Sequence, residues 1–324
     1  MLANLIGSMD RPSVGGYHAK IFDLCLLALD LRRQRPASLQ DIDSVEKSVT
    51  NTIISLTMKL TETMFKPLFI RSIEWAESDV EDGVVGNTNV DRAVSFYGMV
   101  NKLAENHRSL FIPYFKYLLE GCVRLLTVSG DAKTSGLTRK KKARILEAKS
   151  TEDTSISIGN WHLRATILSS LHKCFLYDTG SMKFLDSSNF QVLLKPIVSQ
   201  LTIEPPSSLE EHSNLPSVKE VDDLLVVCIG QMAVTAATDV LWKPLNHEVL
   251  MQTRSEKVRA RILGLRVVKY LVEHLREEYL VFLAETIPFL GELLEDMEPS
   301  VKSLAQEILK EMETISGESL RQYL

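Results

Sequence analysis

Five prolines flanked by large apolar residues recur along this chain at spacings that indicate a repeated structural unit. They stand in the strings MFKPLF, LFIPYF, LLKPIV, LWKPLN and ETIPFL, at positions 67, 113, 196, 244 and 288. The spacings are 46, 83, 48 and 44 residues, and the second is close to two such units. A period of forty to fifty residues is typical of helical repeats, whose units bury their apolar faces by stacking on their neighbours.

The distribution of apolar residues predicts an all-α fold. Leucine and isoleucine recur every three or four positions in nearly every segment, whereas alternating strand patterns are absent from the sequence. The predicted helices cover residues 17–33, 39–60, 65–77, 90–107, 109–127, 159–177, 189–202, 217–237, 239–252, 256–276, 279–295 and 299–316. These segments amount to about five to six antiparallel helix pairs, which is the size expected of a short α-solenoid.

The last two predicted pairs show the repeat most clearly. Aligning them places Val258 over Val301 and Arg259 over Lys302, an offset of 43 residues. A proline in the first helix, an acidic turn and a valine followed by a basic residue resemble a HEAT repeat. We therefore expect a HEAT-like α-solenoid in which the valine enters the core. We also expect Arg259 to reach Asp296 in the acidic turn of the next unit.

The spacing of the pairs indicates where loops interrupt the repeat. We expect a single HEAT-like solenoid over residues 1–324, which forms the C-terminal part of a longer protein. Residues 128–157 are predicted to be a flexible basic loop insertion, and residues 203–216 a loop rich in proline and serine. Solenoids tolerate such insertions on one face because the stacked core keeps its register.

Charge and cysteine content exclude several classes of protein. The formal net charge of −5 provides no global attraction to phosphate or to an anionic membrane. The sequence shows no signal peptide, and charged or polar residues interrupt every long apolar stretch, so we expect no membrane contact. Cys25, Cys122, Cys174 and Cys228 form no CxxC pair, and we expect them to be buried core residues of a reducing compartment.

No sequence motif indicates an enzyme, a cofactor or a metal site. The sequence lacks HExxH, GxSxG, a phosphate-binding glycine loop and a dinucleotide fingerprint. His162 and His172 share one predicted helix without a complementary ligand pattern, so we expect them on the helix surface. Asp222 and Asp223 lie near a helix start, where capping explains them. We therefore predict no catalytic, cofactor-binding or metal-binding residues and no small-molecule substrate.

One basic run, from Thr138 to Arg144, is the candidate for a functional site. Residues 131–153 carry seven Lys or Arg against four Asp or Glu. The cations of the run that could contact RNA or direct nuclear import are Arg139, Lys140, Lys141, Lys142 and Arg144. A solvated loop is the third interpretation. Because no aromatic residue interleaves these cations, any RNA contact would be electrostatic and would not involve base stacking.

The three tryptophans are predicted to be core residues. Trp75, Trp161 and Trp242 stand at helical spacing from leucines, a pattern that favours packing over an exposed binding role.

Several long strings resemble one family. TMFKPLFIRSIEWAES, KCFLYDTGS, LWKPLNHEVLMQTRS, LREEYLVFLAETIPFLGELLED and SGESLRQYL are similar to the C-terminal domain of the HEAT-repeat U3 small-nucleolar-RNA-associated protein family, also called HEAT-repeat-containing protein 1. The resemblance runs from about Asp10 to the end of the chain. Members of that family are several times longer than this chain. Missing repeats would leave an apolar N-terminal face uncovered, so we expect the isolated chain to associate through its first helices.

The resemblance implies a non-catalytic scaffold in the nucleolus. It implies membership of the small-subunit processome, with support for transcription of pre-ribosomal RNA by RNA polymerase I and for processing toward small-subunit RNA. The implied partners are other processome proteins, with U3 small nucleolar RNA and pre-ribosomal RNA contacted directly or through those proteins. A HEAT-type adaptor in transport or complex regulation shares every pattern except the family strings and remains the alternative. A nuclease or modifying enzyme is a distant third.

Overall fold

The structure, a computed structural model, consists of α-helices and short 3-10 segments. It describes residues 2–34, 41–78, 90–131, 146–180, 183–320 and 323, with the backbone alone for 128–131 and 146–157. The α-helices are α1 (Leu2–Ser8), α2 (Arg11–Gly15), α3 (His18–Leu29), α4 (Leu31–Gln34), α5 (Ile42–Thr57), α6 (Glu62–Glu77), α7 (Val90–His107), α8 (Leu119–Asp131), α9 (Leu146–Tyr177), α10 (Ser187–Val198), α11 (Val218–Ala236), α12 (Asp239–Gln252), α13 (Val258–Leu275), α14 (Leu283–Leu294) and α15 (Pro299–Ser316). No strand occurs in these ranges, which confirms the all-α prediction.

Short 3-10 segments replace parts of three predicted helices. Residues Arg108–Leu110 and Ile112–Tyr117 form 3-10 turns before α8, and residues Arg276–Phe282 form another before α14. Pro113 lies at the start of the second segment, where a helix tolerates proline because the first amide groups have no partner within the helix. The remaining 3-10 segments are Ser199–Thr202 and Leu209–Glu211.

The chain divides into two compact units. The first comprises Met1–Leu118 and Arg144–Ser170, and the second comprises Leu119–Ala143 and Leu171–Leu324. We call them unit 1 and unit 2. The prediction of one continuous solenoid over 1–324 stays a prediction.

Unit 2 is built from helix pairs stacked in sequence order. Its first layer contains α8, α10, α12 and α14, each packed against the next, and its second layer contains α11, α13 and α15. Within each pair the two helices also contact one another, as α10 with α11, α12 with α13, and α14 with α15. This is the solenoid-like arrangement that the HEAT-like prediction requires, and Val301 is fully buried as expected, whereas Val258 is half-buried.

The recurring prolines occupy equivalent places in the repeat. Pro67, Pro196, Pro244 and Pro288 lie inside α6, α10, α12 and α14, while Pro113 lies in the 3-10 turn that precedes α8. Each proline therefore stands in the first element of a pair. The period seen in the sequence reports this position, as predicted.

Left-handed backbone conformations end the second helix of a pair. Arg108 follows α7 with φ 50°, Ala237 follows α11 with φ 49°, and Arg276 follows α13 with φ 51°. Gly317 follows α15 with φ 74°. Only glycine adopts this conformation without a steric cost. Arg108, Ala237 and Arg276 therefore have a backbone conformation that is unfavourable for a residue with a Cβ atom.

Unit 1 packs its helices around aromatic rings. Helix α5 contacts α1, α3 and α7, and α6 contacts α3 and α7. Phe69 lies at the centre of the rings, with centroid distances of 5.3 Å to Phe111, 5.3 Å to Tyr114 and 5.8 Å to Phe65. Edge-on and tilted ring pairs of this kind add to the free energy gained from burial alone.

The two predicted loops differ in how far the structure describes them. Helix α8 ends at Asp131 and α9 begins at Leu146, so helical backbone is described at both ends of the predicted 128–157 insertion, which stays a prediction. The predicted 203–216 loop is described, and its Leu209 is buried in unit 2. Loop 203–216 is therefore anchored by one leucine in a short 3-10 turn.

Candidate interaction surfaces

The basic run predicted as a functional site falls outside the described residues. Arg139, Lys140, Lys141, Lys142 and Arg144 all lie in the range 132–145. The structure therefore places no atoms of these side chains, and their role stays a prediction.

In unit 2 an ion pair links consecutive turns, but it uses a different arginine from the one predicted. Arg261 Nη2 donates to Asp296 Oδ1 at 3.0 Å, and Arg261 Nε lies 2.8 Å from Oδ2 in a poor hydrogen-bonding orientation. The prediction that Arg259 reaches Asp296 is wrong. Residues 259 and 261 point to nearly opposite sides of α13, since successive residues rotate by about 100° around a helix.

Arg259 instead faces the preceding pair. Its guanidinium forms an ion pair with Asp222 on α11 and donates from Nη1 to the carbonyl oxygen of Ile203 at 2.6 Å. Arg266 Nη2 donates to Asp223 at 2.6 Å. The capping explanation for Asp222 and Asp223 is therefore wrong.

The cap of α11 is formed by two other residues. The hydroxyl of Ser217 accepts from the Glu220 amide, and the Glu220 side chain accepts from the Ser217 amide. This is a capping box, which satisfies two amide groups at the helix start and leaves the next two carboxylates available to pair across helices.

The turn between α14 and α15 holds an aspartate with a lowered pKa. Burial raises the pKa of Asp296, but the hydrogen bond from the Glu298 amide and the charge of Arg261 outweigh burial and keep the pKa below its ordinary value. Nearby, Arg254 Nε donates to Glu292 at 2.8 Å, and the Arg254 guanidinium lies 4.0 Å from the Phe289 ring centre. Helix α13 and the turn before it thus carry cations that pair with both neighbouring repeats.

A buried polar network also joins α12 to the α14 repeat. Tyr279 is fully buried, and its hydroxyl donates to Asn246 Oδ1 at 2.7 Å. Asn246 Nδ2 donates to Glu285 at 3.0 Å, and His247 Nδ1 lies 2.9 Å from the same carboxylate. Burial raises the pKa of Tyr279 above its ordinary value, with a hydrogen bond to Thr286 opposing that rise. A satisfied network of this kind fixes the relative position of the two helices.

In the second layer of unit 2, helices α11 and α13 pack closely beside the aromatic pair of Tyr270 and His274. A Cβ atom at Gly230 on α11 would lie 2.1 Å from the Tyr270 ring on α13, so this position requires glycine. The exposed His274 ring stacks on Tyr270 with centroids 3.7 Å apart. This helix contact and the ion pairs described above hold the neighbouring repeats of unit 2 in fixed positions.

Unit 1 contains a buried group of charges. Arg92 and Asp30 have side chains only 7% exposed, and Arg92 Nε donates to Asp30 Oδ1 at 2.8 Å. Arg92 Nη1 also donates to the Trp75 carbonyl oxygen at 3.1 Å and to Ser78 Oγ at 2.9 Å. Burial raises the pKa of Asp30, but hydrogen bonds from Arg33 and Arg92 outweigh it and hold the pKa well below its ordinary value.

A second charged group in unit 1 surrounds Arg32. Its guanidinium forms ion pairs with Asp43 and with Glu46, the latter at 2.7 Å. Burial opposes the charge of Arg32, yet hydrogen bonding to Glu46 prevails and raises its pKa. These pairs join α4 to α5, and we regard them as structural because each charge has its opposite at contact distance.

The cysteines and histidines have the following environments. All four cysteines are buried, which confirms their assignment to the core, and burial raises the pKa of Cys25 to about 11. His162 and His172 are half-buried instead of lying on the surface, and burial lowers the pKa of each. Across the described ranges no three His, Cys, Asp or Glu side chains come together as a metal site would require.

The tryptophans follow the prediction with one difference. Trp161 and Trp242 are buried, and Trp242 Nε1 donates to the Ala233 carbonyl oxygen at 2.8 Å. Trp75 is half-buried, and the Arg92 guanidinium lies 5.2 Å from its ring centre. Trp75 thus packs against a buried cation on one side and remains partly exposed. The sequence pattern does not reveal this contact.

Helix α3 has an apolar outer face. Tyr17 just before it is 59% exposed, and Leu24 and Leu27 within it are 57% and 66% exposed. Its opposite face packs Phe22 and Leu26 into unit 1. A helix that is apolar on both faces is normally covered on both.

Comparison with known proteins covers the whole chain. An uncharacterized protein of Arabidopsis thaliana is 63% identical over 325 residues, matching all of this chain and 14% of the relative. HEAT repeat-containing protein 1 of Homo sapiens is 30% identical over 324 residues, again matching all of this chain and 14% of the relative. U3 small nucleolar RNA-associated protein 10 of Schizosaccharomyces pombe is 25% identical over 316 residues, matching 97% of this chain and 16% of the relative.

This chain thus spans about one seventh of the length of those relatives. Within the described ranges, no helix combines the length and the apolar run that crossing a bilayer requires. The matching family model, described as the BP28CT (NUC211) domain, covers residues 13–183. The resemblance seen in the sequence strings is therefore confirmed, and this chain belongs to the BP28CT (NUC211) domain family, whose full-length relatives include HEAT repeat-containing proteins.

Proposed function

We propose that this chain is a non-catalytic helical-repeat scaffold in ribosome biogenesis. It acts in the nucleolus as part of the U3 ribonucleoprotein and the small-subunit processome, where it supports pre-ribosomal RNA transcription and small-subunit RNA processing. Its partners are other processome proteins, and it contacts U3 small nucleolar RNA and pre-ribosomal RNA directly or through them.

One observation carries the proposal. The similarity to relatives named HEAT repeat-containing protein 1 and U3 small nucleolar RNA-associated protein 10 extends over 97% to 100% of this chain. The part shared with those relatives is therefore the entire sequence, including every helix pair described above.

The geometry of unit 2 fits a scaffold. Its pairs are joined on one side by Arg261 and Asp296 and on the other by Arg259 and Asp222. The buried Tyr279 network is a third connection between neighbouring repeats. Because these contacts hold neighbouring repeats in register, the exposed side chains of successive helices keep fixed spacings, which lowers the entropic cost of binding a large partner.

We propose that the basic run contributes to targeting or to RNA contact. Arg139, Lys140, Lys141, Lys142 and Arg144 place five cations within six residues. Such a run neutralises phosphates or serves as a nuclear address by charge alone. A variant with Lys140, Lys141 and Lys142 replaced by alanine is expected to shift from nucleolus to cytoplasm or to lose salt-sensitive RNA binding. If neither property changes, the run is a solvated loop.

The proposal is tested by tagging the chain in cells and identifying what it crosslinks. We expect a nucleolar signal, with processome proteins found by mass spectrometry and U3 RNA found by sequencing. A tagged helical-repeat adaptor of transport, expressed at the same level, serves as the control. Cytoplasmic localisation with transport proteins as partners would replace the proposal with the adaptor function, and turnover abolished by one substitution would replace it with an enzyme.

A further inference from the structure

Three residues form a cationic group on the surface of unit 1, which we call the lysine–tyrosine patch. Lys66 lies on α6 immediately before Pro67, and Lys116 and Tyr117 end the 3-10 turn Ile112–Tyr117. Lys66 Nζ lies 5.9 Å and Lys116 Nζ lies 5.0 Å from the centre of the Tyr117 ring. Two ammonium groups from separate elements therefore converge on one phenol.

The core beneath the patch fixes the backbone on both sides. Phe65, next to Lys66, is buried and packs edge-on against Tyr114 with ring centroids 5.0 Å apart. Phe115, next to Lys116, is also buried. Aromatic packing thus holds together the two segments that carry the lysines. The backbone positions of Lys66 and Lys116 are therefore fixed relative to each other.

Neither lysine of the patch lies in an ion pair in the part of the chain that the structure describes. Glu62 stands four residues before Lys66 and Glu120 four residues after Lys116, but neither carboxylate forms an ion pair with its lysine. On α13, by contrast, Arg259, Arg261 and Arg266 each face an aspartate. Interaction with the Lys66 ammonium lowers the pKa of Tyr117 and outweighs the opposing effect of burial, and the Lys116 ammonium lowers this pKa further.

We propose that the lysine–tyrosine patch binds phosphate groups of RNA. The two ammonium groups lie 5.9 Å and 5.0 Å from the centre of the same ring, and an anion bound beside that ring is attracted by both. Lysine binds phosphate as a point charge, and the Tyr117 hydroxyl can donate a hydrogen bond to a phosphate oxygen. The choice of RNA over an acidic protein rests on the proposed function, which places this chain beside ribosomal RNA.

The test compares two double variants of the full 324-residue chain. Lys66→Ala with Lys116→Ala removes the patch, and Lys47→Ala with Lys243→Ala removes one exposed lysine from each unit, outside the patch. Lys243 is matched closely to Lys66 because it also precedes a proline in the first helix of a pair, here Pro244 in α12. Both doubles change the net charge equally, and all four lysines are exposed, so thermal unfolding is expected to stay unchanged.

Binding is measured by fluorescence anisotropy with a labelled 20-nucleotide single-stranded RNA at several salt concentrations. Loss of two phosphate contacts is expected to reduce the slope of log K against log salt by about 1.4 in the patch variant alone, at about 0.7 per contact for a single strand. A poly-glutamate peptide serves as the second probe.

The outcomes separate this inference from the proposed function. Equal losses in both doubles, or RNA binding unchanged by either, would overturn the patch as an RNA site while leaving co-purification with U3 RNA intact. Lysine-dependent binding of poly-glutamate without RNA binding would overturn it in favour of an acidic protein. Failure of the chain to co-purify with U3 RNA in cells would count against the proposed function, while a patch-specific loss in vitro would still support phosphate binding.

Discussion

An ion pair in unit 1 and one in unit 2 lie at different depths. Unit 1 buries Arg92 and Asp30 in its interior, with side chains 7% exposed. In unit 2 the pair of Arg254 and Glu292 has side chains about half exposed. A buried pair costs a large desolvation energy that its partners must offset, whereas an exposed pair costs and gains little. Removing one partner is therefore expected to cost far more free energy of unfolding at the first pair than at the second.

The exposed faces of α3 in unit 1 and α15 in unit 2 also differ. Helix α3 in unit 1 exposes Leu24 and Leu27, while α15 in unit 2 exposes Ser303, Gln306 and Lys310. End repeats of solenoids need a polar outer face to remain in water without association. By this criterion α15 has the composition of an end helix and α3 has that of an internal one.

The largest expected effect comes from Arg92→Ala in unit 1. The substitution removes the buried partner of Asp30 and leaves that carboxylate hydrogen-bonded to Arg33 and Gln34, which is expected to cost about 3 kcal/mol. Hydrogen exchange read by mass spectrometry should show faster exchange in α3 and α7. Arg33→Ala, whose side chain is 37% exposed, is the matched control and should cost much less. Equal losses in the two variants would contradict the distinction between buried and exposed pairs.

Acid should remove part of the same stabilisation. The pKa of folded Asp30 is below its ordinary value, so this carboxylate contributes stability above the unfolded pKa of about 3.9 and loses it as pH falls through the lower folded pKa. Urea unfolding of unit 1, followed at successive pH values below 5, should show this decline. Asp30→Asn should flatten the pH dependence, and an unaltered profile in that variant would assign the decline to other carboxylates.

Gly230→Ala should destabilise unit 2 by roughly 1–3 kcal/mol through overpacking. The new Cβ would stand 2.1 Å from the Tyr270 ring and force it off His274. The control is Gly98→Ala on α7, where no atom lies within 4 Å, and where better helix propensity should add up to about 1 kcal/mol. Urea unfolding monitored by circular dichroism measures the stability of both variants. Stability changes of the same sign in the two variants would contradict the close contact between Gly230 and Tyr270.

Arg261→Ala should have a moderate effect in unit 2. It removes a donor from Asp296 in a half-buried turn, which is expected to cost about 1–3 kcal/mol. Arg254→Ala removes an exposed pair that salt screens, so its effect should be small and should vanish at high ionic strength. Unfolding at low and high salt distinguishes the two, and a salt-sensitive loss at Arg261 would place that pair at the surface instead.

The smallest effect on unfolding is expected from changes on the outer face of α3. Leu24→Glu with Leu27→Glu should alter stability by less than about 0.5 kcal/mol, because both side chains are exposed. Self-association of the isolated chain, measured by sedimentation velocity, should nevertheless fall sharply. Leu110→Glu, at an isolated exposed leucine, is the control and should leave association unchanged. A monomeric wild-type chain at high concentration would contradict the expectation.

Most of the fold could be predicted because it depends on local periodicity. The 3.6-residue spacing of leucines placed α7, α12 and α15 within a few residues of their observed bounds, and the prolines marked the first element of each pair. The 3-10 turns Ile112–Tyr117 and Arg276–Phe282 were missed, since a short apolar segment reads the same in either helix type. The polar composition of residues 128–157 gives no sign of the helical backbone described at residues 128–131 and 146–157.

The candidate sites were harder to predict because they depend on which residues meet across helices. The basic run was visible as a string, whereas Lys66 and Lys116 are fifty residues apart and only packing brings them to Tyr117. The partner of Asp296 was missed by two residues, which on a helix is the difference between facing the next repeat and facing the previous one.

The amino-acid sequence of this protein determined its all-α fold class, its repeat period, the burial of its four cysteines and its family. Each of these depends on residue type and on spacing along the chain. The tertiary structure alone decided which charges are buried, which arginine joins which repeat and where lysines converge. Those properties depend on the rotation of each helix about its axis and on its neighbours, and the free energy that sets both comes from contacts between residues far apart in the chain.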